Sequence, residues 1–213
     1  MKNTNHHLEE LSEIRQIMER STRFLSLSGW SGIAAGTIAL LGAALAFWWI
    51  SGSDLSNETL FRLRGHDINI SNGVFLLMDA IVVLGLALVS AIFFSWRKAN
   101  KKGEKIWSPV TRRLLFNLAV PLVTGALLIL LLVLKDLAFL FAPITLIFYG
   151  LSLVNAGKYT NNEIIWLGLA DIILGLITLV LPAYALLFWA SGFGVLHIVY
   201  GIALYMKYDR KGS

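Results

Sequence analysis

Six apolar stretches, over residues 28–50, 73–96, 113–134, 137–156, 163–181 and 183–206, take up most of this chain. Each is close to the ~20 residues that a helix rising ~1.5 Å per residue needs to cross a hydrocarbon layer of about 30 Å. Lipid offers backbone N–H and C=O groups no partner, so an apolar run of this length must satisfy them internally, as helix. The pattern predicts an all-α, polytopic membrane protein with six transmembrane helices joined as three hairpins. Composition agrees, at 57% hydrophobic and 15% charged, where soluble domains carry about a quarter charged residues. Residues 26–213 then form one transmembrane domain, preceded by residues 1–25.

The placement of cations sets the expected orientation. Of 18 Lys and Arg residues, only Arg62, Arg64 and Lys135 fall in segments that would lie outside if the N-terminus is cytoplasmic. Cytoplasmic loops carry the Lys/Arg excess, so both termini are expected in the cytoplasm. The net charge of +5 is then a basic cytoplasmic rim facing anionic lipid headgroups, and no nucleic-acid partner is expected. With no Cys in the chain, disulfides, thiolate metal sites and Cys nucleophiles are excluded. The polar N-terminus, with Glu9, Glu10, Glu13 and Glu19, does not read as a cleaved signal peptide.

Residues 4–25 carry a different periodicity. Leu8, Leu11, Ile14, Ile17 and Met18 recur at three- and four-residue spacing, with charged residues mostly on the other faces. This predicts an amphipathic cytoplasmic helix running into the first span. Its stripe could lie on the membrane, pack under the bundle or dock a soluble cytoplasmic protein; the acidic N-terminal half suits anionic lipid poorly. Residues 51–72 form the one long outside loop. Lys101-Lys102-Gly103 breaks the basic inside loop, Ser108-Pro109 starts the next element, and Leu181-Pro182 separates the last two spans.

The second helices of the hairpins share a pattern. Ile147-Phe-Tyr-Gly-Leu-Ser-Leu153 resembles Ile198-Val-Tyr-Gly-Ile-Ala-Leu204, and Leu84-Gly-Leu-Ala-Leu-Val-Ser-Ala91 matches Tyr149-Gly-Leu-Ser-Leu-Val-Asn-Ala156 at five of eight positions. These matches predict three hairpins derived from one unit. Because a two-helix unit starts and ends on one side of the membrane, its copies would be parallel, about a pseudo-threefold axis along the membrane normal.

Gly168, Leu174-Gly175, Leu181-Pro182 and Tyr200-Gly201-Ile202 make the last hairpin similar to the unit of the HdeD-like acid-resistance membrane proteins of bacteria. The long first loop and the N-terminal helix depart from that family's compact pattern. Leu8-Glu-Glu-Leu11, Ile14-Arg15, Met18-Glu-Arg-Ser21 and Phe24-Leu-Ser-Leu-Ser-Gly-Trp-Ser-Gly32 resemble a group of uncharacterised multi-pass proteins of Bacteroidota. The resemblances imply a bacterial inner membrane and a link to stress, and supply no activity.

Ionisable groups inside an apolar span are costly and need a reason. Asp171 and His197 fall at similar depth in the last hairpin, so a direct or water-bridged pair is expected, either as a proton-binding site or as an interhelical hydrogen bond. Asp79 sits near the outer end of the second span. Asn117 and Asn155 are expected to bond across helices. Ser28, Gly32 and Gly36 form a stripe of small residues for close packing, and Gly85, Gly150 and Gly201 are its candidates elsewhere, within the bundle or between protomers of a homo-oligomer. Trp30, Trp48, Trp49, Trp96, Trp107 and Trp166 mark interfacial belts.

No H-E-x-x-H, G-x-S-x-G or phosphate-binding loop is present, so no catalytic, metal or cofactor residue is expected and the chain does not read as an enzyme. Three function classes fit, in this order. One is a regulatory or stress-related sensor or scaffold acting through the N-terminal helix. The second is a small-solute or proton-coupled transporter using Asp171 and His197, and the third a passive assembly subunit.

Overall fold

The structure, a computed structural model, describes residues 27–51, 70–103, 106–135 and 137–210. The expected amphipathic helix and nearly all of the long outside loop therefore lie outside the described residues. Helices α1 (Gly29–Ser51), α2 (Ile70–Lys102), α3 (Pro109–Val133), α4 (Phe141–Ala156) and α5 (Glu163–Val180) follow in order. The last rod, α6, covers Pro182–Asp209. It is a 3₁₀ turn over Pro182–Tyr184, α-helix over Ala185–Trp189 and His197–Leu204, and π-helix over Ala190–Leu196 and Tyr205–Asp209. The described residues contain no strand.

Five of these helices (α1, α2, α3, α5 and α6) are long and apolar enough to cross a membrane. The fourth expected span, 137–156, differs. Its α-helix has only 16 residues, about 24 Å of rise, between 3₁₀ turns at Ala138–Leu140 and Gly157–Tyr159. Pro143, which lacks an N–H, costs least in the first turn of a helix, and α4 begins at Phe141, two residues before it, with a tighter 3₁₀ turn ahead.

Local signals place the other ends. The Ser108 hydroxyl accepts from the Thr111 N–H at 3.1 Å, with Pro109 in the first helical position, capping α3. Gly103, at φ 65°, takes the left-handed conformation that closes α2. Pro182 forces Leu181 out of the helical region and ends α5.

Helix α1 packs on α2 and α6, α4 packs on α3 and α5, and α6 also reaches α4 and α5; α2 and α3, neighbours in sequence, barely touch. Two of these contacts are backbone against backbone. A Cβ on Gly201 would stand 2.5 Å from the Ile33 nitrogen and 2.7 Å from the Gly29 oxygen, and one on Gly36 would stand 2.5 Å from the Gly194 oxygen. Gly32 lies against Gly201 in the same seam. Between α4 and α5, Gly150 and Gly168 face each other's carbonyls at 2.5 and 2.6 Å by the same measure. Gly85 is different: within 4 Å of its Cβ position there is nothing, so it has no packing role in the described structure.

Helix α2 is the least enclosed. Only 6% of its apolar window is buried within the protein, against 33% for α5. Leu86, Val89, Ile92 and Phe93 are all more than half exposed. Each such side chain costs about 1.5–3 kcal/mol in water relative to burial, so this surface is built for lipid.

Candidate functional site

The core where α1, α2, α4 and α6 meet comprises Ala39, Ala43, Val83, Leu146 and Trp189. Beside it lies a cavity of about 180 Å³. Ala35 and Ala39 of α1, Ala80 and Leu84 of α2, Gly125 and Ala126 of α3, Phe148 and Tyr149 of α4, and Trp189, Phe193 and His197 of α6 are among its walls. Ile129 and Phe141 meet Leu77 and Ala80 along one stretch of the α2–α3 side. Elsewhere on that side Ile81, Leu84 and Ala126 line the cavity and are also exposed, so it opens laterally between the two helices.

Its polar residues are few and ordered. The His197 Nδ1 lies 2.9 Å from the Gly192 carbonyl oxygen. A carbonyl oxygen only accepts, so Nδ1 carries the proton, and Nε2 of the neutral ring accepts from the Tyr149 hydroxyl at 2.8 Å. The π-helical turn holding Gly192 and Gly194 brings residue 192 under the ring of residue 197, a use of π-bulges common at functional sites. Phe193 lies 4.8 Å from Trp189 and 4.9 Å from Tyr149, centroid to centroid, making one aromatic wall.

Asp171 is fully buried on α5, and neither carboxylate oxygen has a hydrogen-bond partner. The expected direct bond to His197 is not formed, because both imidazole nitrogens are engaged elsewhere. What joins the two residues is Gly192: its carbonyl takes the imidazole proton, and a Cβ there would stand 2.8 Å from Asp171 Oδ1. Asp79 leans from α2 toward α1, with a carboxylate oxygen 3.4 Å from the Cβ position of Gly42. Asn117 does not bond across helices; its Nδ2 donates to the Arg113 carbonyl of its own helix at 2.8 Å. Asn155 is half-buried on α4.

Sequence reasoning passed over two features. Trp189 is 7% exposed, while the six belt Trp residues are all 49% exposed or more. Its indole N–H is buried without an acceptor. The sequence signal was its distance from the span end, deeper than any other Trp. The second feature is a clamp where residues 1–26 join α1. Lys98 of α2 pairs with Asp209 of α6 at 2.8 Å, both about nine-tenths buried, and donates to the Leu27 carbonyl at 2.6 Å. Asp209 accepts from the Gly29 N–H at 2.9 Å and from the Ser28 hydroxyl at 3.3 Å. A carboxylate at the N-terminus of α1 complements its dipole and free N–H groups. Ser28 therefore takes part in this clamp. Lys207 and Tyr208 bind Glu163, tying α6 to the start of α5.

Compared with known protein families, curated proteins and solved structures, the chain matches none.

Proposed function

We propose that this chain is a regulatory membrane protein that takes an apolar ligand from the bilayer into the cavity between α2 and α3 and passes the cavity's state to its N-terminal segment. The observation that carries this reading is the lateral opening: the cavity's exposed lining residues lie on surface that faces lipid. The clamp supports the output side, because Lys98 and Asp209 belong to two cavity helices and grip the residues through which the N-terminal segment enters α1. In this reading α4 completes a six-span bundle with both termini in the cytoplasm of a bacterial inner membrane. The amphipathic stripe of Leu8, Leu11, Ile14, Ile17 and Met18 meets a soluble partner, and the chain performs no catalysis. Three copies of one hairpin account for the equivalent seats of Gly150 and Gly201, each against the first helix of another hairpin.

Native mass spectrometry of protein released from mild detergent tests the input. The wild type is expected to retain a lipid-soluble compound, and Ala126→Phe, which places a ring at the cavity mouth, to release it. Identical retention by both proteins would reject the reading.

A second reading, a proton-coupled or small-solute transporter, is favoured by Asp171, a fully buried carboxyl with no hydrogen-bond partner. It predicts flux in liposomes that Asp171→Asn abolishes.

A further inference from the structure

We infer that the ligand is one acyl chain of a bilayer phospholipid, held in the cavity with its ester and headgroup left outside. The inference rests on the lateral-cavity reading and narrows it to one class of compound. Shape comes first. The lining runs from Leu77 to Ala87 along α2 and from Leu122 to Ile129 along α3, about 15 Å and about 10 Å of helix rise. The volume is about 180 Å³, little more than the ~150 Å³ of an apolar cavity that admits one benzene. A space of that volume drawn out along the helices is long and narrow. It takes a single file of methylene groups, whereas a compact ring system leaves its ends empty and presses on its sides.

Polarity makes the same selection. No Lys, Arg, Asp or Glu is among the described residues lining the cavity. The polar side chains that do line it commit their protons to the protein. Thr145 donates to the Ala142 carbonyl, Tyr149 to His197, and His197 to the Gly192 carbonyl. The Trp189 indole nitrogen is buried and turns no surface to the cavity. A carbonyl, carboxylate or phosphate inside would therefore find no side-chain donor. Hydrocarbon enters without leaving a polar group unpaired, and a lipid carries its polar atoms at one end of the chain, outside the slot. The opening supplies the source. Ile81, Leu84 and Ala126 are exposed on surface that faces lipid, so the chains that meet the mouth are those of the surrounding phospholipids. Because α2 and α3 barely touch, a chain enters sideways while its headgroup stays in its own layer.

Photocrosslinking of the full chain in phosphatidylcholine liposomes tests this, with a diazirine near the end of one acyl chain of the lipid and peptide mapping by mass spectrometry. Crosslinks are expected on Tyr149 and Phe193, on the α4 and α6 walls of the cavity, as well as on Leu86 and Ile92 of the lipid-facing surface. Decane should remove the cavity crosslinks and adamantane, with the same number of carbons in a compact cage, should not; neither should remove those on Leu86 and Ile92. This contrast needs no variant to fold. Ala126→Phe should also abolish the cavity crosslinks and spare the outer ones. Equal loss with adamantane and decane overturns the chain and leaves the lateral cavity standing. Loss with palmitic acid at trace mole fraction identifies a free fatty acid and overturns the phospholipid. Absence of cavity crosslinks beside normal outer ones overturns the acyl chain; the lateral-cavity reading then survives only if native mass spectrometry still shows a compound that Ala126→Phe releases. Cavity crosslinks that Ala126→Phe leaves unchanged overturn the entrance between α2 and α3, and both readings with it.

Discussion

Gly150, Gly201 and Gly85 occupy matching places in the sequence pattern, yet their surroundings diverge. Gly150 and Gly201 are seams: each lets a neighbouring backbone approach so closely that a methyl group has no room. Gly85 has open space around it. Helical geometry explains where that space lies. Residues 83 and 85 are about 160° apart around a helix that turns 100° per residue. Val83 packs toward Gly42 of α1, so Gly85 points to the opposite flank, where a closed ring of helices would place α3. The same small residue thus makes two tight interfaces and one gap. What differs is what stands opposite: Gly168 faces Gly150, and Gly29 and Gly32 face Gly201, whereas no atom stands within 4 Å of the Cβ position of Gly85. The cavity opens on the side that has no such seam.

Breaking a seam should have the largest effect. Gly201→Leu drives a side chain into the α1 backbone and should cost more than about 3 kcal/mol, at or beyond the upper end of overpacking; loss of the monodisperse peak in size-exclusion chromatography would report it. The clamp comes next. Lys98→Met removes the ion pair to Asp209 and the bond to the Leu27 carbonyl and should cost about 2 kcal/mol, less than the ~3–5 of a pair whose loss strands a buried charge, because Asp209 keeps the Gly29 N–H and the Ser28 hydroxyl. A double-mutant cycle with Asp209→Asn in thermal denaturation would measure the coupling, and additive effects would remove the clamp from the account. Tyr149→Phe deletes one hydrogen bond beside the cavity and should cost about 1 kcal/mol, read as a small fall in melting temperature. The smallest effect is expected at the open flank. Gly85→Leu should leave stability unchanged or raise it by up to about 0.8 kcal/mol through helix propensity. A marked destabilisation there would mean that α2 and α3 do pack together and that the gap is closed.

Much of this was legible from residues 27 onward because the bilayer is a severe solvent. Apolar length alone fixes helix as the only way to satisfy the backbone, and Ser108-Pro109, Gly103 and Leu181-Pro182 act through φ and the missing proline N–H, which are local properties. The 16-residue α4 fell short of its apolar run because hydropathy does not register the backbone constraint of Pro143. The site was less legible. Asp171 and His197 stood out by type and depth, but depth along two helices leaves their rotation free, and rotation decided that His197 bonds to Tyr149 and Gly192. Asn117 could reach its own helix more cheaply than a neighbour.

By itself, then, the sequence determined that the described chain is helical, where most helices start and stop, and which residues are too polar or too small to be lipid-facing filler. These follow from period, length and local dihedral preference. Only the tertiary structure decided which glycines became seams, that Lys98 meets Asp209 across 111 positions, and that α2 and α3 part to open a cavity beside a buried Trp189. Those outcomes depend on the azimuth of each helix about its axis and on the choice of neighbour, and both are set by packing among all the helices at once.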